Sequence, residues 1–320
     1  MERLIFTLTP KTAFATPLAG DTLFGQCCWA LRHLFGEEKL TQLLTGYTEN
    51  KPFLVISDAM PQGFLSRPTL PSELLGFDNA NTKERKIQKA KKWFPISVLS
   101  KPINQWESSA LTEHQMLETL RLKGHFLKTH AQDHNSLSRL TGTTGTTEGF
   151  APFQRQTFWY HPDIRLTLVV ELDTTRLSIA ELNDAFAWMG WHGYGKEASC
   201  GLGKFDIEQA TCSTYTQANN ANAWLTLAPC APQGLHWNSS RCYYEVLTRF
   251  GRHGDIAVHQ KGGVFKNPVL MAKTGAVLTP NVIDSVHRFT GQGITGVSKT
   301  ILTTVHQGYA PVYSVRLENE

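Results

Sequence analysis

The sequence lacks most of what announces a membrane protein, a secreted domain or a familiar enzyme. No apolar run in its 320 residues approaches the roughly 18 that a membrane-spanning helix needs, so no membrane partner is expected. The N-terminal MERLIFTLTPKTAF reads as a strand rather than a cleavable signal, which makes the cytoplasm the expected compartment. Charge is scarce and nearly balanced, at 18% of residues with a net +4. A balance this mildly basic permits a nucleic-acid partner without requiring one. The six cysteines, Cys27, Cys28, Cys200, Cys212, Cys230 and Cys242, form no C-x-x-C pair. Their spacing suggests neither a zinc site nor a disulfide framework. H-E-x-x-H, G-x-S-x-G and paired-carboxylate motifs are absent as well, and the reading calls for no metal and no cofactor.

What is present is a soluble-type pattern long enough for two cores, with 41% hydrophobic residues. Leu4 to Thr9 alternates like a strand and stops at Pro10. Asp21 or Thr22 is placed to cap a helix carrying Leu23, Phe24, Cys27, Cys28, Leu31, Leu34 and Phe35 at three- and four-residue spacing. Phe53 to Ser57 is a short apolar strand, and 58–130, with its prolines, reads as an insertion. Ile164 to Leu172 is a β-branched strand, Ile179 to Trp191 is helical with Leu182, Phe186 and Met189 on one face, and Lys204 to Glu208 is again a strand. This β-α-β, insertion, β-α-β order fits a ferredoxin-like or RRM-like unit over 1–210. A polar stretch, 211–222, leads to a second region, 223–320, with strand-like runs at 224–227, 243–248, 268–273 and 310–317. The expected fold class is α+β.

The most informative stretch is DHNSLSRLTGTTGTTEGFAPFQRQTFWY, from Asp133 to Tyr160. A Thr/Gly-rich tip between strand-like arms predicts a protruding β-hairpin. Such a hairpin buries little of itself. Its hydroxyls, N–H groups and the guanidiniums of Arg139 and Arg155 are free to meet a sugar-phosphate backbone, unless it is merely a surface loop. Phe153, Phe158, Trp159 and Tyr160 offer stacking faces, though alternation turns half of them inward. Phe153 is the expected stacker.

GYGKEASCGLGKF, 193–205, loosely matches a G-x-G-x-x-A dinucleotide fingerprint, but here the helix precedes and the strand follows, the reverse of that motif. It also misses a P-loop, because Phe205 stands where a hydroxyl is required. What remains is a glycine loop with Lys196, Ser199 and Lys204. It is either a polyanion cradle or a turn needing glycine only for its dihedrals.

Three segments in order, TPLAGDTLFGQCCWALRHLFGEEKL with the strand end ISDAMP, then NSLSRLTGTTGTTEG, then GYGKEASCGLGKF, resemble the RAMP superfamily of CRISPR effector proteins. The likeness is to the fourth subunit of the type III-A (Csm) complex, within the fifth Cas family. The resemblance implies two ferredoxin-like (RRM-like) domains with a large insertion and a β-hairpin thumb. It implies a non-catalytic subunit that holds the 5′ repeat-derived tag of CRISPR RNA, between the large polymerase/cyclase-like subunit and the first backbone RAMP subunit. Carried over residue by residue, the thumb contacts would be Asn135, Ser136, Arg139, Thr141 and Thr143. Gly195, Lys196, Ser199 and Gly201 would lie under the RNA backbone, and Thr22, at a helix N-terminus, would donate to a phosphate.

Two rival classes stay open. His125, His130 and His134, with Lys123 and Lys128 nearby, supply groups for an endoribonuclease, and Asp133 is a lone candidate for metal-assisted cutting. A pure protein scaffold is the other. The basic run Lys83, Arg85, Lys86, Lys89, Lys91, Lys92 is either a solvated face or a contact, and Arg249, Arg252 and Lys266 are expected to continue a basic surface.

Overall fold

The computed structural model describes residues 1–77, 82–145, 151–212, 220–234, 236–254, 258–259, 263–282 and 288–318. The N-terminal part runs β1 (Glu2–Pro10), α1 (Gly20–Phe35), α2 (Glu37–Leu44) and β2 (Leu54–Ile56). Then come β3 (Met60–Pro61), β4 (Phe64–Ser66), α3 (Thr82–Ala90), β5 (Trp93–Pro95) and α4 (Glu113–Thr119). A hairpin of β6 (Leu127–His134) and β7 (Phe153–Tyr160) precedes β8 (Leu166–Leu172), α5 (Ile179–His192) and β9 (Phe205–Cys212). The first sheet has the antiparallel order β2-β8-β1-β9, with β3 also on β8. With α1 and α5 as its crossovers, this is the strand order of a split β-α-β unit.

Alternation explains the layers. Leu4, Phe6 and Leu8 of β1 are fully buried among Leu23, Phe24, Cys27 and Leu31 of α1 and Leu182, Phe186 and Met189 of α5. Phe6 meets Phe186 edge-on at 4.9 Å. The α5 helix starts with a reciprocal cap: Glu181 N–H donates to Ser178 Oγ at 3.2 Å, and Ser178 N–H donates to Glu181 Oε2 at 2.8 Å. At α1 the structure corrects the sequence reading twice. Ala19, not Asp21 or Thr22, is the N-cap, and no side chain caps it from within the segment. Leu34, expected inward, is exposed.

The C-terminal part carries β10 (Ala223–Thr226), β11 (Val246–Arg249), β12 (Val269–Ala272), β13 (Val277–Leu278), β14 (Phe289–Gly291) and β15 (Tyr309–Val315). Its sheet runs β13-β10-β15-β14, and β11 and β12 form a separate ribbon. Among the described residues of this part the elements are strands and 3-10 turns, and the helices of a second ferredoxin-like unit are not among them. The insertion packs against this part. Phe77, Phe94, Leu99 and Trp106 share a core with Leu225, Val277, Tyr313 and Val315, and Val169 of β8 joins them through the other face of the first sheet.

The two parts meet along a polar seam. Strand β2 is fully buried at the sheet edge, so its outward backbone groups need partners. The Gln307 side chain supplies both. Ile56 N–H donates to Gln307 Oε1 at 3.0 Å, and Gln307 Nε2 donates to Ile56 C=O at 2.8 Å. Arg3 donates to Glu171 at 2.5 Å and to the carbonyls of Arg288 and Val312 at 2.8 and 2.9 Å. Tyr309 Oη donates to Tyr47 C=O at 2.7 Å. Replacing Gln307 with Ala leaves a buried donor and a buried acceptor unpaired. The expected cost is about 2–6 kcal/mol, at roughly 1–3 kcal/mol per stranded group. Urea denaturation measures it, and a loss below about 0.5 kcal/mol contradicts the seam's role.

Candidate nucleic-acid interface

The hairpin is longer than the sequence suggested. Its first arm begins at Leu127, not Asp133, and pairs without a break from Leu127↔Tyr160 to His134↔Phe153. Both faces of LKTHAQDH are largely exposed, so the arm carries no hydrophobic alternation to betray a strand. Lys128/Trp159, His130/Thr157, Gln132/Arg155 and His134/Phe153 share one face. Phe158 and Tyr160 lie on the other and are half-buried, while Phe153 and Trp159 are exposed. The hairpin is rooted at its base. There Phe158 exchanges both backbone hydrogen bonds with Phe14, and Tyr160 meets Phe14 and Phe126 edge-on at 5.6 Å.

At the tip Gly142 N–H donates to Ser138 C=O at 2.8 Å, Ser138 N–H donates to Thr143 C=O at 3.1 Å, and the Thr141 and Thr143 hydroxyls are 2.9 Å apart. This closed turn leaves Asn135, Arg139, Thr141 and Thr143 exposed and Ser136 half-exposed. Arg139 has no protein partner among the described residues. The remainder of the expected tip, 146–150, lies outside the described residues.

The glycine loop is rigid. Gly195 has φ +77°, and a Cβ there would stand 2.6 Å from Thr16; Gly203 has φ +75°, and a Cβ would stand 2.2 Å from Tyr194 C=O. Only glycine satisfies both the positive φ and the close approach. Lys196 N–H donates to Thr16 Oγ1 at 2.9 Å, Lys204 N–H donates to Thr12 Oγ1 at 2.9 Å, and Tyr194 Oη donates to Pro17 C=O at 2.8 Å. The Lys196 backbone is therefore engaged, while its side chain is exposed, as is Ser199; Gly201 is half-exposed. Arg155 does not stand free as expected. It pairs with Glu197 at 3.2 Å and so ties the hairpin to this loop.

Sequence reasoning missed one platform here. Trp191 is 73% exposed, with the Lys204 ammonium 5.2 Å from its ring. Its signal was a large aromatic off the Leu182–Phe186–Met189 stripe, where burial does not explain it.

Other expected cations are structural. Arg249 grips buried Asp21 with two hydrogen bonds of 2.6 and 2.9 Å, and Lys91 pairs with Glu107 at 3.0 Å. Arg252 lies over Phe265 at 5.2 Å, and burial pushes the Lys266 amine down. Arg85, Lys86, Lys89 and Lys92 are exposed. The Lys83 side chain lies outside the described residues. Nor do the histidines converge. His130 and His134 sit about 13 Å apart along one strand, His134 lies parallel to Phe153 at 5.5 Å, and His125 faces Glu113 at 3.8 Å. Asp133 accepts from Gln154 at 3.1 Å. Among the described residues no group of three or more His, Cys, Asp or Glu is arranged to hold a metal ion, and no helix is long and apolar enough to cross a membrane.

Thr22 was expected to donate to a phosphate from a helix N-terminus. Its N–H donates to Ala19 C=O at 3.0 Å, and the first helical N–H, of Gly20, donates to Asp58 Oδ1 at 2.8 Å. The Asp58 carboxyl therefore takes up the first N–H of α1, and the Thr22 N–H is turned to the N-cap carbonyl.

No family model matches the chain, and no curated protein sequence matches it. Solved structures match it end to end. A chain of the Csm3–Csm4 subcomplex of the type III-A CRISPR-Cas interference complex aligns over 99% of this chain and 100% of its own, at TM-score 0.60 and 12% identity. Chains of the Csm1–Csm4 cassette with AMPPNP and with pppApA align over the same shares, at TM-scores 0.59 and 0.58 and identities of 14% and 13%. In fold the chain resembles Csm4. At these identities the likeness is one of architecture, and it spans the hairpin, the glycine loop and the C-terminal strands together.

Burial lifts the Asp58 carboxyl to about 7, and nearby Asp21 adds to the lift, against the hydrogen bonds from Thr274 and Gly20 and the charge of Arg249. The folded state thus holds this proton more tightly than the unfolded chain. Stability from this group is full at low pH and falls as pH rises through the interval from about 4 to about 7. Asp58→Asn keeps an acceptor for Gly20 and should remove that fall, so the variant gains on the parent at pH 8 relative to pH 5. Urea unfolding at both values checks it, and parallel pH profiles would contradict the assignment.

Proposed function

We propose that the chain is a non-catalytic, RNA-binding subunit of a type III CRISPR interference complex. In this reading it caps the 5′ repeat-derived tag of the CRISPR RNA and joins the large polymerase/cyclase-like subunit to the first backbone RAMP subunit, in defence against foreign nucleic acid. The observation that carries it is the end-to-end likeness in fold to Csm4, solved in company with Csm1 and with Csm3. The hairpin is the thumb of this reading, and the two-domain, ferredoxin-like organisation belongs to it as well.

Local chemistry agrees. Single-stranded RNA is held by hydroxyls, glycine loops, guanidiniums and aromatic faces rather than by groove reading. The tip offers Asn135, Ser136, Thr141, Thr143 and an unpaired Arg139. The loop offers the Lys196 side chain and Ser199, with Trp191 and Lys204 beside them. Arg155 acts here by holding hairpin to loop, which spares the RNA the cost of ordering them. The dispersed histidines favour this reading over the endoribonuclease, which needs acid, base and a cationic group around one phosphate.

The test is to express the tagged chain in cells carrying a type III locus and its array, and to sequence the RNA that copurifies. Short RNAs sharing one repeat-derived 5′ end are expected. Arg139→Ala with Lys196→Ala should reduce their recovery and lower the salt slope of binding by about 1.4, at roughly 0.7 per phosphate contact on a single strand. Replacing His125, His130 and His134 should change neither. Cleaved repeat fragments made by the chain alone, and lost with those histidines, would make it the processing nuclease instead.

A further inference from the structure

A cleft of about 960 Å³ opens between the insertion and the chain flanking the β11–β12 ribbon, residues 242–245 and 273–274, at the upper end of ligand-pocket sizes. Asp58 and Thr274 form its floor, with Thr274 Oγ1 donating to Asp58 Oδ2 at 2.5 Å. Trp93, Tyr243 and Tyr244 stand in its walls. Trp93 is held edge-on to Phe126 at 5.3 Å, and Tyr244 is 52% exposed.

Its charges sort by partner. Lys273 is neutralised by Glu245 at 3.0 Å. Arg67 is spent on the Gln88 carbonyl at 2.7 Å and on Ser72 Oγ at 3.1 Å, with its guanidinium over Phe77 at 4.6 Å. Lys89, in the last turn of α3, and Lys92, just beyond it, are exposed and have no protein partner among the described residues. The cleft therefore combines two unpaired ammonium groups on its rim, an open aromatic face and a polar floor. An anionic ligand with flat, hydrogen-bonding faces matches all three.

The cleft floor is linked through the chain to the support of the glycine loop. Thr16 and Pro17 hold the glycine loop, α1 begins three residues later, and its first N–H is bonded to Asp58 on the cleft floor. We propose that the cleft is a second seat for single-stranded RNA, with phosphates on Lys89 and Lys92 and a base stacked on Tyr244. The proposal rests on the RNA-binding reading and extends it to the insertion.

The experiment uses the full chain with a fluorescein-labelled eight-nucleotide single-stranded RNA carrying 4-thiouridine. Affinity is read by anisotropy and contacts by crosslinking with peptide mapping. Crosslinks on the peptide holding Tyr243 and Tyr244 are expected, together with crosslinks on the hairpin. Lys89→Gln with Lys92→Gln lowers the salt slope by about 1.4. Tyr244→Ala weakens binding by about 5- to 150-fold, the range for losing one base–aromatic stack, while hairpin crosslinks persist in both variants. Crosslinks confined to the hairpin and glycine loop, with affinity unmoved in the variants, overturn the cleft and leave the RNA-binding reading intact. Loss of partner-subunit association without loss of RNA affinity makes the cleft a protein-docking surface and overturns the proposal too. No RNA binding by the parent chain defeats the RNA-binding reading itself.

Discussion

The Gln307 amide bonded to both backbone groups of Ile56 is the contact on which the rest of the architecture hangs. Strand β2 ends the first sheet inside the molecule, where an unpaired N–H or C=O is too costly to leave. A side chain 251 residues away closes that edge. The C-terminal part therefore serves as the missing neighbour of the first sheet as well as carrying a sheet of its own. Arg3, Tyr309 and the Asp21–Arg249 pair then fall along the same line. Buried polar contacts of this kind contribute little net stability, but they are unforgiving of misalignment. They set one arrangement of the two parts, and with it the walls of the cleft between the insertion and the ribbon.

That seam also determines which surfaces remain for a ligand. Asp58 sits where the seam meets the start of α1, and its carboxyl oxygen takes up the first helical N–H. Binding must then come from groups outside the seam: the hairpin tip, the side chains of the glycine loop and the cleft rim. Each is held by contacts on its inner side and is open on its outer side. The loop is tied to Thr12, Thr16 and Pro17, the hairpin to Phe14 and Glu197, and Trp93 to Phe126. A ligand meeting them finds geometry already in place and loses less affinity to ordering.

Much of the first unit was legible because burial writes period 2 and period 3.6 into the chain. Leu4, Phe6 and Leu8, the α1 and α5 stripes and the fully buried β8 all follow that rule. The first arm of the hairpin was not legible, since LKTHAQDH is polar on both faces. The start of α1 was misplaced because its cap comes from Asp58, 38 residues on, and no local pattern reports a partner so distant. The tip residues around Arg139 were legible for the opposite reason: a Thr/Gly tract with few apolar side chains goes outward, and its Leu137 and Leu140 are exposed with it.

Cations were the least legible class, and the cause is physical. Arg139, Arg155, Arg249 and Arg67 look alike in sequence, yet only Arg139 among them lacks a protein partner in the described structure. Arg155, Arg249 and Arg67 are spent on Glu197, Asp21 and a backbone carbonyl. A guanidinium already paired with a carboxylate releases no counterion when a phosphate arrives, and to bind that phosphate it must first give up its partner. Net charge therefore overstates what is available for a polyanion, and a count of unpaired cations is the better measure. By that measure the hairpin tip offers Arg139, the glycine loop Lys196 and the end of α3 Lys89 and Lys92, all exposed. A polyanion that engages all of them contacts the hairpin, the glycine loop and the insertion together, which the +4 of the whole chain does not indicate.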